Sequence, residues 1–219
     1  MIITALQIFL ASLAFAAQVQ VPTSSLWREG DVIFHKSKSS QSAAIAEAQG
    51  SSPWTHMGIL LKIPADSKNW RVLEAVQPVR LIRAEDFIAR GRERAFEVKR
   101  WAPPYDTVVA QGLTQLKTTL FAYLGRDYDL FFEWSDQKLY CSELVYKGYA
   151  AAFSELPPIA TLQKLGDLRL TGPKMRQLIR RRSQASGHPP NLEEPILTPA
   201  QLMASPLLIT IDRKNRQQN

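Results

Sequence analysis

Cys141 is the only cysteine among 219 residues. That count constrains the fold more than any other feature of the chain. No intramolecular disulfide can form, so a stable structure must rest on a buried apolar core. The material is present. Hydrophobic residues make up 45% of the sequence, and the length suits one domain, with or without a tail. A lone cysteine is either a small buried hydrophobe or a reactive thiol, and its neighbours have to decide.

The first residues, MIITALQIFLASLAFAAQVQ, are apolar and carry no charged side chain. Ala14-Phe15-Ala16 has the small-x-small form of a signal-peptidase site. Residues 1–16 therefore read as a secretory leader or, if uncleaved, as an N-terminal anchor. The run is short for a spanning helix, which needs ~20 apolar residues. This predicts an exported chain, periplasmic or extracellular, with a domain over residues 17–210 and a basic tail over 211–219. The formal net charge is +7. Much of the excess sits late, at Arg169, Lys174, Arg176, Arg180, Arg181 and Arg182, then Arg213, Lys214 and Arg216. Such a balance favours anionic membrane or envelope surfaces. No nucleic-acid motif accompanies it, which argues against a nucleic-acid partner.

The pattern along the chain is mixed. GDVIFHKS (30–37) reads as a strand and SSQSAAIAEAQG (39–50) as a helix. THMGILLKI (55–63) and WRVLEAV (70–76) form a hairpin across the six residues PADSKN. AEDFIARG (84–91) is a short helix and AFEVKRW (95–101) an alternating strand. One amphipathic helix is predicted from Asp106 to Tyr123. An aromatic loop covers 126–138. A further helix starts at Cys141 and runs to Phe153. Beyond Pro157-Pro158 the one clear element is TPAQLMAS (198–205), with Thr198 as cap, Pro199 at the first position and Gln201 completing a capping box. DRKNRQQN reads as a frayed end. The expected class is α+β, an antiparallel sheet packed against helices.

A thiol at a helix start lies against unpaired backbone N–H groups and the positive end of the helix dipole. Both favour the thiolate, and the same amides can hold an oxyanion. A cysteine nucleophile needs a base. His188 lies in a Pro-rich loop; His35 and His56 lie on strands. His56, at the start of its strand beside the SSPW loop, is favoured over His35. The base needs an acceptor to orient it. Glu74 sits in the apolar strand RVLEAV, where a carboxylate is costly without a partner. If the hairpin pairs so that Ile63 lies opposite Asn69, His56 and Glu74 share a face on a diagonal. A register displaced by one residue separates them. Glu143 follows Cys141 by two positions and does not face it on a helix. One Cys and three scattered His show no metal-ligand spacing, and nothing calls for a cofactor.

These stretches carry a resemblance. GDVIFHKSKSSQSAAIAEA, SPWTHMGILL, VLEAVQPVRL, YLGRDYDLFFEWSD and YCSELVYKGY, in that order, resemble the YiiX/YebB-like proteins. Those are circularly permuted papain-fold cysteine amidases of the NlpC superfamily. LEEPILTPAQLMASPLL (192–208) resembles the C-terminal segment of that family. The resemblance implies Cys141 as nucleophile, His56 as base and Glu74 as third member. Tyr128 takes the place of a tyrosine beside the nucleophile, although Asp127 replaces the usual proline. It either borders the substrate or covers the core edge. Trp54 and Tyr140 are the other candidate substrate-binding residues. Trp54 is either a cleft wall or an ordinary loop residue. Asp31 is expected to form a turn. The expected activity is hydrolysis of a peptide or cell-wall amide through a thioester. The rivals are a lipid ester hydrolase or acyltransferase, and a non-catalytic binder of a peptide or amino acid.

Overall fold

The structure is a computed structural model that describes residues 25–214. The expected leader over 1–16 lies outside the described residues. In chain order the elements are β1 (Val32–Ser37), α1 (Ser42–Ala48), β2 (His56–Ile63), β3 (Asp66–Glu74), β4 (Arg80–Arg83), α2 (Ala84–Arg90) and β5 (Gly91–Trp101). There follow α3 (Tyr105–Gln111), α4 (Leu113–Phe121), β6 (Asp127–Tyr128), β7 (Lys138–Leu139), α5 (Cys141–Ala152), β8 (Gln163–Lys164), α6 (Pro173–Ser186), β9 (Pro195–Ile196), α7 (Pro199–Met203) and β10 (Leu208–Lys214).

A six-stranded sheet in the order β10-β5-β1-β2-β3-β4 carries the architecture. Every neighbouring pair in it is antiparallel. Side chains alternate between faces along a strand, and both faces are covered. Val32, Phe34, Ile59, Leu61 and Leu73 point to one side, where they meet Leu116 and Leu120 of α4 and Leu144, Val145 and Tyr149 of α5. Ile33, Leu60, Val72, Phe96 and Val98 point to the other, against Phe87 and Ile88 of α2. The expected α+β class, an antiparallel sheet packed against helices, is what the chain forms.

Several elements depart from expectation. The helix expected over 106–123 is two helices that meet at Gly112, where a Cβ would run into the Phe153 ring. The hairpin is tighter: β3 begins at Asp66, and an irregularity between Leu61 and Ile63 absorbs the difference. Residues 211–214, expected in the tail, belong to β10 and pair with β5. The 14-residue helix α6 and the strand β4 were not legible. The capping box at Thr198 is present: the Gln201 amide donates to Thr198 Oγ1 (3.2 Å) and the Thr198 amide to Gln201 Oε1 (2.8 Å). Asp31 closes a turn by accepting from the Arg28 amide (2.8 Å). It also clamps Arg100 of β5 through both oxygens, at 2.7 and 2.8 Å.

Gly58 lets β3 lie close to β2. A Cβ there would meet the Leu73 carbonyl oxygen and the Val72 side chain, each at 2.5 Å. A backbone carbonyl cannot yield as a flexible side chain can. Gly58→Ala is expected to destabilise the fold by about 1–3 kcal/mol, read as a lower urea midpoint at unchanged slope.

Candidate active site

Cys141 is the first residue of α5, and Tyr140 before it is extended. The Glu143 carboxylate folds back to accept from the Tyr140 amide (3.2 Å) and pairs with Lys147 (2.8 Å). Glu143 therefore closes its own helix end rather than orienting the base. Burial is the main force lifting its carboxyl, to about 8.

His56 is the first residue of β2. Ile59 pairs with Leu73, Leu60 with Val72 and Leu61 with Arg71. This is the register that puts residues 56 and 74 on one face. The imidazole Nε2–H donates to Glu74 Oε2 at 2.7 Å, and the ring lies close enough to the Cys141 sulfur for its pKa to be raised by it. With Nε2 engaged by the carboxylate, Nδ1 is the atom left for the sulfur. Three groups far apart in sequence thus form one chain: sulfur, imidazole, carboxylate.

Glu74 is fully buried and is held by two cations that sequence reasoning missed. Arg90, at the end of α2, donates through Nη2 to Oε1 (2.6 Å) and Oε2 (2.5 Å). Arg80, directly across β4 from Glu74, donates through Nε to Oε1 (3.1 Å). Burial pushes this carboxyl up, but the His56 and Arg90 bonds outweigh it and hold it down at about 2. Burial likewise pushes the His56 ring down. The neighbouring Cys141 sulfur and the Glu74 carboxylate outweigh that and raise it to about 9. The sequence did hold a signal for a cation. A buried strand carboxylate without one would be untenable.

His35 lies beside the site. Its ring is 5.1 Å from that of His56 and stacks on Phe87 at 4.4 Å. Burial and the charge of His56 keep it well below the ordinary value. It is a neutral spacer against which the His56 ring rests. His188 is exposed on its loop, away from this cluster.

A cleft of about 720 Å³ opens over His56, lined among others by Ser37, Gln41, Thr55, Gln77, Arg90 and Tyr128. Cys141 is 4% exposed. It borders a smaller pocket that also shares Tyr128. Tyr128 therefore stands between the sulfur and the cleft. Its amide donates to Gln77 Oε1 (2.7 Å), and its hydroxyl accepts from Gln41 Nε2 (3.2 Å). Burial, then the charge of the nearby sulfur, pushes its hydroxyl up, so it stays a proton donor.

Two expected substrate contacts take other places. Trp54 packs into the main core and does not line the cleft. Burying an indole removes a large apolar area from water, which outweighs displaying it in a loop. Tyr140 is buried too. Its hydroxyl accepts from the Leu197 amide at 3.3 Å, fastening the segment before α7 to the start of α5. It touches the pocket beside the sulfur but not the cleft.

Comparison with known proteins fits this geometry. The model of the family described as permuted papain-like amidase enzyme, YaeF/YiiX, C92 family, matches residues 27–212. The uncharacterized protein YiiX of Escherichia coli (strain K12) is 34% identical over 185 residues, covering 84% of this chain and 86% of that protein. The crystal structure of a protein described as metalloprotein yiiX, from Escherichia coli O157:H7, superposes with a TM-score of 0.76 at 33% identity. It covers 85% of this chain and 97% of the solved one.

The shifted groups fix a pH signature. His56 is raised from 6.5 to about 9, so its contribution to stability is whole below 6.5 and is lost as pH climbs through about 9. Glu74 is lowered from 4.5 to about 2, so its contribution is whole above 4.5 and is lost as pH falls through about 2. The stability difference between wild type and Glu74→Gln is expected to peak between these ordinary values, from pH 4.5 to 6.5, and to shrink on either side. Urea unfolding across the pH range measures it. A difference that keeps growing toward pH 9 would contradict the pairing.

Proposed function

Because the chain belongs to the permuted papain-like amidase family, we propose that it is a cysteine amidase that cleaves a peptide or cell-wall amide through a Cys141 thioester. The observation that carries this reading is the His56 ring, hydrogen-bonded to the Glu74 carboxylate at 2.7 Å and with its pKa raised by the neighbouring Cys141 sulfur. A ring held positive beside a sulfur favours the thiolate. Glu74 stabilises that charge and fixes the ring's orientation.

In the first half-reaction the thiolate attacks the amide carbonyl. The tetrahedral oxyanion forms against the first-turn amides of α5, with the Tyr128 O–H as a further donor. His56 gives its proton to the leaving nitrogen and the C–N bond breaks, leaving an acyl thioester. In the second, water attacks the thioester while neutral His56 takes its proton. The acid departs and the thiolate is restored. The hydroxyl and amide side chains along the cleft suit the donors and acceptors of a peptide backbone. We place this chemistry outside the cytoplasm on the strength of the uncharged apolar residues 1–16.

The solved relative is described as a metalloprotein. The donors here do not fit a metal centre. Glu74 spends both oxygens on two guanidiniums and the imidazole, and one His56 nitrogen is bound to Glu74. Among the described residues no group of three or more His, Cys, Asp or Glu is arranged to hold an ion.

Cys141→Ala is expected to lower the turnover of wall-peptide amides by at least about a thousandfold while the unfolding midpoint stays near wild type. Glu74→Gln is expected to lower turnover and bring down the ring's titration, followed by NMR of the His56 Cε1 proton. Unchanged hydrolysis in the Cys141 variant would overturn the scheme.

A further inference from the structure

Several exposed cations of the described surface form no ion pair, and four of them lie together on one helix. On α6, Lys174, Arg176, Arg180 and Arg181 are exposed. Among the described residues none of the four is in an ion pair, in contrast to the cations around Glu74. Between residues 168 and 192 there is no Asp or Glu. The opposite side of the helix is apolar: Met175 is buried with Ala44 and Ala48 of α1, and Leu178 and Ile179 pack against that cluster. The helix is thus held down by one face and offers a stripe of positive charge on the other.

Apolar groups lie beside that stripe. A cavity of about 470 Å³ runs beneath α6, lined by Phe131, Phe132, Met175 and Ile179 among others. Leu130 and Leu192 are each 49% exposed, and each follows or precedes a residue that lines this cavity. Leu130 also lines the catalytic cleft. Arg182, on the inner side of α6, donates to Gln41 Oε1 (2.7 Å), and Gln41 holds Tyr128. The basic helix therefore borders the mouth of the active site.

We propose that α6 is a docking surface for an anionic phospholipid bilayer, which brings the cleft to the membrane face. Exposed Lys and Arg are drawn to the negative headgroup layer, and exposed leucines at the same rim can enter the acyl boundary. A soluble polyanion would satisfy the charges and leave the exposed leucines unexplained. The proposal concerns binding and does not rest on the chemistry at Cys141.

The test is co-sedimentation of the full chain with vesicles of phosphatidylcholine containing about one-third phosphatidylglycerol, against phosphatidylcholine alone, at low salt. The ratio of the two affinities is the readout, so any contribution of the apolar N-terminal residues is shared. Arg176→Glu, Arg180→Glu and Arg181→Glu together are expected to cut the preference for anionic vesicles roughly a hundredfold. A control with the same net charge, Lys68→Glu, Arg83→Glu and Arg92→Glu, is expected to keep it within about threefold. Equal losses in both variants would show a response to net charge alone and overturn the site. Wild type showing no preference would do the same. Leu130→Ser with Leu192→Ser is expected to weaken vesicle binding but not binding to inorganic polyphosphate. If the double leucine variant holds vesicles as wild type does, and polyphosphate competes fully, the surface is one for soluble polyanions and the bilayer assignment falls.

Discussion

A carboxylate with no exposure to water has to be neutralised by its surroundings, and Glu74 is that group here. Two guanidiniums and an imidazole converge on its two oxygens. Breaking such a buried cluster by removing one partner typically costs several kcal/mol, because the others are left uncompensated. The arrangement therefore joins three elements: β2 through His56, β4 through Arg80, and α2 through Arg90. The His56 ring cannot swing freely, since its far nitrogen is bound to a carboxylate that is itself fixed from two sides. The setting of the Cys141 sulfur inherits that order. Cys141 meets a ring whose orientation was decided by the sheet.

The sheet decides it through register. Pairing of Ile59 with Leu73 puts residues 56 and 74 on the same face at the end of the β2–β3 ribbon. Gly58 permits the close approach of the two strands. On the opposite face, Leu144, Val145 and Tyr149 anchor α5 in the main core and so set where its first residue stands. A site made this way depends on where strands and helix meet, not on which comes first in the chain. His56 precedes Cys141 in sequence, and the geometry is indifferent to that order.

Much of this was legible. Strand alternation gave the two faces, the apolar stripe gave α5 and its start, and the burial of a charged residue in RVLEAV marked Glu74. What was missed has physical causes. Arg80 and Arg90 are ordinary charged residues until the fold brings them to one carboxylate. β10 has a polar outer edge, and its place is fixed only by pairing with β5. α6 has few apolar positions among many cations, so its period was faint. Trp54 stands in the loop before His56, which makes it a candidate cleft wall, and Tyr140 stands next to Cys141. Adjacency along a chain says little about direction, and both rings found more favourable places in the interior.

The cations of this protein separate into two kinds by what faces them. Arg80, Arg90 and Arg100 lie against buried carboxylates, so their charge is consumed inside the fold and is invisible at a distance. The side chains of Lys174, Arg176, Arg180 and Arg181 form no ion pair among the described residues, and their field extends into solvent for about a Debye length, ~10 Å at moderate salt. A net charge of +7 could have been spread evenly for solubility. Instead four of the exposed cations that form no ion pair lie together on one helix, and that helix reaches Tyr128 through a single glutamine. Folding accounts for the first kind of charge. The second kind is the charge that the bilayer contact proposed for α6 would use.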